Sequence, residues 1–178
     1  TADSVVPGAL KGVRSIIERF GKDNVFIISN AQPKMEKRIR HWLKNVIKFY
    51  ADTDFEEDNL YFSRSRTGEQ GKSVIASQLK LTHFIDDSDD VLKTLWDDSK
   101  GNIKNGILKC QGQLLHFNTN GENRNSAIPY HWKEQNRPLS VVPVSNWKHV
   151  IEVINVSSAT RRISDELVKA DKRHSSDL

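Results

Sequence analysis

Three polar segments of the sequence carry side chains suited to phosphate chemistry. Ser29-Asn30 ends one apolar run, Lys72 opens a predicted helix, and Asp86-Asp87 follows a second apolar run. A hydroxyl and an ammonium group can bind phosphoryl oxygens, and carboxylate oxygens are ligands that Mg²⁺ prefers. If the fold brings the three segments together, the sequence predicts a magnesium-assisted phosphate site.

The predicted elements that hold these segments alternate between helices and strands. Apolar residues at helical spacing predict helices over residues 7–20 and 33–49, and apolar runs rich in β-branched and aromatic residues predict strands over 24–30 and 82–85. Further elements are predicted over 59–63 and 114–117 (strands) and over 72–79, 91–96 and 146–154 (helices), with an irregular loop over 118–145. This order is typical of an α/β fold with a doubly wound, mainly parallel sheet and helices on both faces.

The predicted topology places the polar segments at one edge of the sheet. In a doubly wound sheet, ligands bind beyond the carboxyl ends of the strands. Ser29 and Asp86 each come at the end of a predicted strand, and Lys72 begins the helix that leads into the second of these strands. We therefore expect a hydroxyl, an ammonium group and two carboxylates to converge at this edge.

Each of these residues also has a purely structural interpretation. Ser29 at a strand-to-helix corner can serve as a helix cap, and Lys72 can be an exposed lysine at a helix start, with Lys80 as a competitor at the other end of that helix. Asp86 and Asp87 can form a turn and cap the next helix. However, four carboxylates in five residues repel one another unless a cation or a hydrogen-bond donor compensates them.

The order of these segments resembles that of the haloacid-dehalogenase-like (HAD-like) superfamily of phosphatases and phosphotransferases. That family has four motifs: Asp-x-Asp at a strand end, a Ser or Thr after the second strand, a Lys, and an acidic pair after the fourth strand. Val25–Asn30 is similar to the second motif, Gly71-Lys72-Ser73 to the third and His83–Ser88 to the fourth. The resemblance extends over residues 5–155.

The resemblance implies a role for each residue of the predicted edge. It implies that Asp86 and Asp87 hold Mg²⁺, that Ser29 and Asn30 bind phosphoryl oxygens, and that Lys72 stabilises the charge that develops on the phosphate. It also implies a Rossmannoid sheet and a phosphorylated substrate.

The sequence departs from the family at the first motif. Residues 1–6, which precede the first predicted helix, contain no Asp-x-Asp, so the strand that carries the nucleophile in the middle of the family's sheet has no counterpart here. An aspartyl-phosphate mechanism needs that carboxylate to attack phosphorus. We therefore expect a HAD-like phosphatase-type domain that is inactive as given. The gap in its sheet would be filled by a preceding segment, by another chain or by a rearranged sheet.

A second hypothesis is a non-catalytic structural or interaction subunit of a larger assembly, for example in an organelle. The absent first motif favours it, as do Trp132 in the long predicted loop and the charged segment at the end of the chain. Under either hypothesis, residues 1–155 form the core domain and residues 156–178 a charged tail. The partners would be a phosphorylated substrate in the first case and other proteins in the second.

Composition narrows the class of protein. The 178 residues are 37% hydrophobic with a net charge of +4, which suits one globular domain, and no recognised nucleic-acid motif accompanies the basic charge. The single cysteine, Cys110, excludes a disulfide framework within the chain. No apolar run is long enough to span a bilayer. We expect an intracellular protein of a reducing compartment, either the cytoplasm or an organelle matrix.

Overall fold

The computed structural model describes residues 5–97, 113–118 and 140–155, which form a parallel α/β fold. The helices are α1 (Ala9–Phe20), α2 (Pro33–His41), α3 (Phe49–Thr53), α4 (Lys72–Gln78), α5 (Asp89–Asp97) and α6 (147–155). The strands are β1 (Ile27–Asn30), β2 (Leu60–Ser63), β3 (His83–Asp86), β4 (Gln113–Phe117) and β5 (Ser140–Val144). Trp132 and the tail 156–178 lie outside the described residues.

The described strands form two sheets rather than one. The smaller sheet has the order β1-β2 and the larger has the order β3-β4-β5. Every neighbouring pair is parallel; Ile27 lies opposite Leu60 in the smaller sheet, and Asp86 lies opposite His116 in the larger. The predicted α/β class with parallel strands is therefore confirmed.

Helix α4 shows that the two sheets share one carboxyl edge. The backbone N–H groups of Arg64 and Ser65 both donate to the Gln70 carbonyl at 3.1 Å, so the loop after β2 folds back and α4 begins near the end of β2. At the same place Lys72, the first residue of α4, contacts Asp86, the last residue of β3. The carboxyl ends of β1, β2 and β3 therefore point the same way.

One face of the strands packs against α4 and α5. We call this apolar group the α4–α5 cluster: Ala76, Phe84, Val91, Leu92, Leu95 and Leu114. Ile28 of β1 packs against the same cluster, although it belongs to the other sheet. The cluster therefore holds the two sheets together on this side.

The opposite face packs against α1 and α6. Leu115 of β4 is buried with Val150 and Ile154 of α6, and Ile85 of β3 packs against them. The α1 residues Ile16 and Phe20 pack against this group and also against the cluster that contains Ile17 and Leu60. We call this continuous layer the α1 side. Because successive strand residues point to opposite faces, helices cover both faces of the strands.

Helical structure over residues 33–49 is interrupted, contrary to the prediction of one continuous helix. After His41 the backbone forms a π-helical turn over Trp42–Val46, closed by the Ile47 N–H to the Trp42 carbonyl at 3.1 Å. Lys48 then adopts a left-handed conformation with φ of 50°, and α3 begins at the next residue. Apolar spacing alone does not reveal such a turn, because both segments keep apolar residues on their inner side.

The prediction of an irregular loop throughout 118–145 is wrong at its end, because Ser140–Val144 forms β5. Pro143 within this run argues against a strand, since proline donates no ladder hydrogen bond. It is tolerated because β5 is an edge strand, with β4 as its only neighbour in the described sheet. Asn118 N–H donates to the Val144 carbonyl at 2.9 Å just beyond the paired residues.

Two elements near the start of the chain begin later than the sequence predicts. The first strand begins at Ile27 instead of residue 24, because Lys22–Asn24 forms a 3₁₀ turn. The first helix begins at Ala9, after Gly8 in a left-handed conformation with φ of 82°.

Across the described part of the chain, no helix combines the length and the apolar character that crossing a membrane requires.

Candidate phosphate site at the carboxyl edge

The residues predicted from sequence lie at the shared carboxyl edge, but they are not all in contact. Ser29 is the third residue of β1 and is half-buried, and Asn30 ends that strand exposed to solvent. Lys72 starts α4, Asp86 ends β3 in a buried position, and Asp87 follows it exposed. The structure brings Lys72 and Asp86 into direct contact.

The Lys72–Asp86 ion pair is largely removed from water. The Lys72 Nζ lies 2.7 Å from Asp86 Oδ2, and the side chains are only 16% and 5% exposed. Desolvation of the two charges offsets much of their attraction, so the pair is weak evidence for stability by itself. Loss of one partner is different, because it leaves the other charge buried without compensation, at a cost of about 3–5 kcal/mol.

Asp86 also organises the turn that leads into α5. Its second oxygen, Oδ1, accepts a hydrogen bond from the Ser88 backbone N–H at 2.9 Å. An Asp side chain that accepts from the backbone two residues ahead stabilises a turn. Both Asp86 oxygens are therefore engaged, one with the turn and the other with Lys72.

Asp87 is the carboxylate of this edge that faces solvent. It lines a cavity that is also lined by Lys72 and Asp86. Within the described residues, no group of three or more His, Cys, Asp or Glu side chains is arranged to hold a metal ion. Mg²⁺ commonly uses one or two carboxylates together with waters and substrate phosphate oxygens. Because both Asp86 oxygens are already engaged, the exposed Asp87 is the carboxylate of the two that such an ion would use.

The end of β1 is fixed to the end of β2. The Ala31 N–H donates to the Ser63 carbonyl at 3.1 Å, and Arg64 Nη1 donates to the Ala31 carbonyl at 2.8 Å. These bonds hold Ser29 and Asn30 at the carboxyl edge. They do not place them on the wall of the cavity that Lys72, Asp86 and Asp87 share.

A second polar pair, which the sequence analysis missed, lies beside the first. His116 Nε2 is 3.2 Å from Asp89 Oδ1, and the His116 side chain is 7% exposed. His116 is the ladder partner of Asp86, so the two side chains point to the same face of the sheet. The sequence contains a signal for His116, because this residue stands near the end of the apolar run Leu114–Phe117, as Asp86 stands at the end of its own strand.

The cavity has a volume of about 710 Å³ and lies between β1 and β3. Pockets that bind small molecules have volumes on the order of 300–1,000 Å³. Its wall is apolar along β1 and α1, where Ile27, Ile28 and Val13 line it. It carries polar residues at both ends of the strands: Asn24, Thr82 and His83 at the amino ends, and Lys72, Asp86 and Asp87 at the carboxyl edge. This arrangement provides space for a ligand whose charged end lies at Lys72 and Asp87.

Two buried hydroxyl groups near this edge have no hydrogen-bond partner among the described residues. They belong to Ser63, the last residue of β2, and Ser73, the second residue of α4, and these residues are 2% and 3% exposed. An unsatisfied buried hydroxyl costs about 1–3 kcal/mol. The edge therefore contains polar groups beyond those that its ion pairs use.

No protein-family model, curated protein or solved structure matches this chain.

Proposed function

We propose that this chain is the core of a HAD-like phosphotransfer domain that binds a phosphoryl group and Mg²⁺ at the carboxyl edge of its strands. The observation that carries the proposal is the contact between Lys72 and Asp86, with Asp87 beside them on the wall of a cavity. An ammonium group and two carboxylates at the carboxyl ends of parallel strands are the groups that a magnesium-bound phosphate requires.

Lys72 is the group that neutralises the phosphate in this proposal. An ammonium group has three hydrogen-bond donors, so Lys72 can keep its bond to Asp86 Oδ2 and donate to a phosphoryl oxygen as well. Asn30, at the end of β1, points by strand alternation to the same face as Ile28, whereas Ser29 points to the opposite face. Asn30 lies off the cavity wall, so it would need a ligand larger than a bare phosphate to share it with Lys72.

Asp87 is the principal magnesium ligand in this proposal, with Asp86 as its neighbour. Asp86 already uses Oδ1 for the Ser88 N–H and Oδ2 for Lys72, whereas Asp87 is exposed. A bound Mg²⁺ would polarise the phosphoryl oxygens as a Lewis acid. With Asp86 engaged and Asp87 assigned to the metal, neither serves as the attacking carboxylate. We therefore expect the chain to bind phosphate without turning it over.

A non-catalytic interaction subunit is the second candidate, and a specific observation favours it. Lys72, Asp86 and the Ser88 N–H satisfy one another without any ligand. In a structural role, this network would only hold the start of α5 against the end of β3. The two candidates differ in one property, which is whether the edge takes up phosphate and Mg²⁺.

Calorimetric titration of the purified chain with inorganic phosphate, in the presence and absence of Mg²⁺, separates the candidates. The proposal predicts that Mg²⁺ strengthens phosphate binding and that Asp87→Asn removes this strengthening. The matched control is Asp90→Asn, because Asp90 is exposed in the first turn of α5 and lies off the cavity wall. Absence of phosphate binding in the unmodified chain would favour the interaction subunit.

Hydrolysis of p-nitrophenyl phosphate tests the expected lack of turnover. We expect the unmodified chain with Mg²⁺ to release p-nitrophenol no faster than buffer does. Release that is abolished by Asp87→Asn and kept by Asp90→Asn would show that the edge is a complete active site. The domain would then be an enzyme, contrary to the expectation of inactivity.

A further inference from the structure

The exposed side of α2 concentrates the positive charge of the chain. Six Lys or Arg residues and one Glu lie between residues 34 and 48, so this segment has a net charge of +5, while the whole chain has +4. The one carboxylate, from Glu36, is paired with an arginine outside the segment. Lys34, Lys37 and Arg38 have no carboxylate within ion-pair distance among the described residues. This side therefore attracts an anionic partner.

Two other cations of the segment already have contacts within the protein. The guanidinium of Arg40 lies over the Phe62 ring, 5.2 Å from its centroid, and Lys44 Nζ lies 3.4 Å from Glu57 Oε2. The cations that remain for a partner are those nearer the start of α2.

Two aliphatic side chains are exposed on the same segment. Met35 is 43% exposed and Val46 is 60% exposed. Arg38 Nη1 lies 3.9 Å from Met35 Sδ, so Met35 is adjacent to the positive charge. A single exposed apolar side chain is ordinary on a protein surface. Two of them beside the same cations indicate a surface that is both basic and apolar.

The π-helical turn is what brings Val46 to this side. In an unbroken α-helix, Val46 would share the face of Ile39 and Trp42, which pack inward. A π turn bonds residue i to residue i+5 and so contains one residue more than an α-helical turn. Val46 therefore takes the position that the preceding residue would have in an α-helix, on the row of Arg38 and His41.

We call this side the α2 face; its residues are all exposed and comprise Lys34, Met35, Lys37, Arg38, His41 and Val46. A partner that fits it presents negative charge with apolar material directly beneath the charge. A nucleic-acid backbone offers phosphates but no layer for aliphatic side chains, since its bases are read by hydrogen bonds and by stacking on aromatic rings. An acidic protein would need pockets matched to these two side chains. The interface of an anionic bilayer accepts cations and aliphatic side chains without such pockets.

We propose that the α2 face binds the surface of an anionic lipid bilayer. The basic side chains contact the headgroups, and Met35 and Val46 enter the boundary between headgroups and acyl chains. Lysine and arginine keep their charged ends at the headgroup level while their aliphatic stems lie against the apolar layer. The face contains none of the residues assigned to the phosphate edge, so the proposal does not rest on the proposed function.

Cosedimentation of the full chain with lipid vesicles tests the proposal. One set of vesicles consists of phosphatidylcholine, and the other contains about one-third phosphatidylserine as the anionic lipid. We expect binding to the anionic vesicles to be at least about tenfold tighter and to weaken as the salt concentration rises.

Reversal of charge on the face tests its location. Lys34→Glu combined with Lys37→Glu should weaken binding to the anionic vesicles at least about tenfold, since each basic residue near such a surface strengthens binding about fivefold. The matched control is Lys93→Glu combined with Lys148→Glu, which makes the same change in net charge at exposed positions of α5 and α6. It should weaken binding by less than about threefold, because distant exposed charges are screened.

Removal of the aliphatic side chains separates a bilayer from other anionic partners. Met35→Ser combined with Val46→Ser leaves the charge unchanged and should weaken vesicle binding at least about fivefold, with the salt dependence retained. Any binding of the chain to a DNA duplex should be unaffected by this pair. Both positions are exposed, and circular dichroism checks that the variant keeps its fold.

Four results would overturn the proposal. The first two, on the unmodified chain, are no binding to anionic vesicles and equal binding to the two lipid compositions. The third is equal weakening by the control pair of lysine substitutions, which would indicate net charge instead of this face. The fourth is unchanged vesicle binding by the Met35→Ser and Val46→Ser pair together with tight binding to the duplex, which would indicate recognition of phosphate groups alone. Because the two lipid compositions are compared on the unmodified chain, the test remains decisive even if a variant fails to fold.

Discussion

The two sheets differ in how completely their apolar strands are covered. In β4, the central strand of the larger sheet, Leu114 and Leu115 are fully buried. In β1, Ile27 and Ile28 belong to a similar apolar run, yet both are only partly buried and both line the cavity. The difference lies in the neighbours, because in the described sheets β4 has a strand on each edge and β1 has one. An apolar run therefore specifies a strand that can be buried, and the neighbouring strands decide whether it is.

The same contrast extends to the polar groups at the carboxyl edge. On the side of the larger sheet, Asp86 and His116 are buried and each has a charged or ionisable partner. On the side of the smaller sheet, Asn30 is exposed and Ser63 keeps a buried hydroxyl without a partner among the described residues. Buried polar groups at this edge are thus paired on the side of the larger sheet, whereas the smaller sheet keeps one without a partner among the described residues.

The largest expected effect comes from breaking the ion pair of the larger sheet. Lys72→Met should lower the free energy of unfolding by about 3–5 kcal/mol, because Asp86 would remain buried without its cation. The measurement is urea denaturation followed by circular dichroism. Lys80→Met is the matched control, since Lys80 follows the same helix and is exposed, and it should change stability by no more than about 0.5 kcal/mol.

Truncation of matched side chains in the two sheets sharpens the comparison. Leu114 and Ile28 both contact the α4–α5 cluster, but only Leu114 is fully buried. Leu114→Ala should cost about 2–5 kcal/mol, and Ile28→Ala less than about half of that, because the cavity already leaves part of Ile28 without neighbours. Equal losses in urea denaturation would contradict this difference between the sheets, because they would show that the two strands are equally covered.

Gly12 tests the packing of α1 on α6, which helps to hold the two sheets together. A Cβ atom at Gly12 would lie 2.3 Å from Trp147 Cε3, well inside contact distance. Gly12→Ala should therefore destabilise the fold by about 1–3 kcal/mol through overpacking, measured by thermal unfolding. In a double-mutant cycle, Trp147→Leu should cost less in the Gly12→Ala background than in the unmodified chain. Additive losses would show that the two residues do not compete for the same space.

The smallest expected effect concerns Tyr50, in the cluster beneath the smaller sheet. Its hydroxyl is buried without a partner among the described residues, so Tyr50→Phe should be neutral or stabilise the fold by up to about 1 kcal/mol. Burial raises the pKa of Tyr50, nearby Glu57 raises it further, and Arg40 opposes them. The folded state thus favours the neutral phenol, and this contribution is complete below the unfolded pKa and is lost as pH rises through the folded pKa.

Denaturation of both proteins over an alkaline pH series checks this sign. The unmodified chain should lose stability relative to Tyr50→Phe as pH rises above about 10, the ordinary pKa of tyrosine. A difference that stays constant across the series would contradict the raised pKa.

The sequence predicted the parts of the fold that depend on local pattern. Apolar runs that alternate with segments of helical apolar spacing predicted the parallel α/β class. Gly71-Lys72 marked the start of a helix and Ile85-Asp86 the end of a strand, and these two positions are adjacent in the structure. The HAD-like assignment itself stays a prediction. These successes share one cause, since each depends on residues close together in the chain.

The parts that escaped prediction depend on contacts between distant residues. Strand β5 was not predicted because it contains Pro143. A proline is tolerated in a strand at the edge of a sheet, and the sequence does not show that β5 has this position. The π-helical turn at Trp42–Val46 was concealed because the apolar residues keep a helical spacing through it. The pair of His116 and Asp89 was missed because it joins two elements through the register of β3 and β4.

The most direct test of the phosphate edge is to locate a bound divalent ion. Mn²⁺, added as a paramagnetic substitute for Mg²⁺ together with phosphate, should broaden the amide resonances of residues 86–88 first in a two-dimensional NMR spectrum. Lys80, at the other end of the helix that Lys72 begins, should keep its signal. Broadening confined to the separate acidic stretch 52–58, or no selective broadening, would contradict the assignment of this edge as a metal and phosphate site.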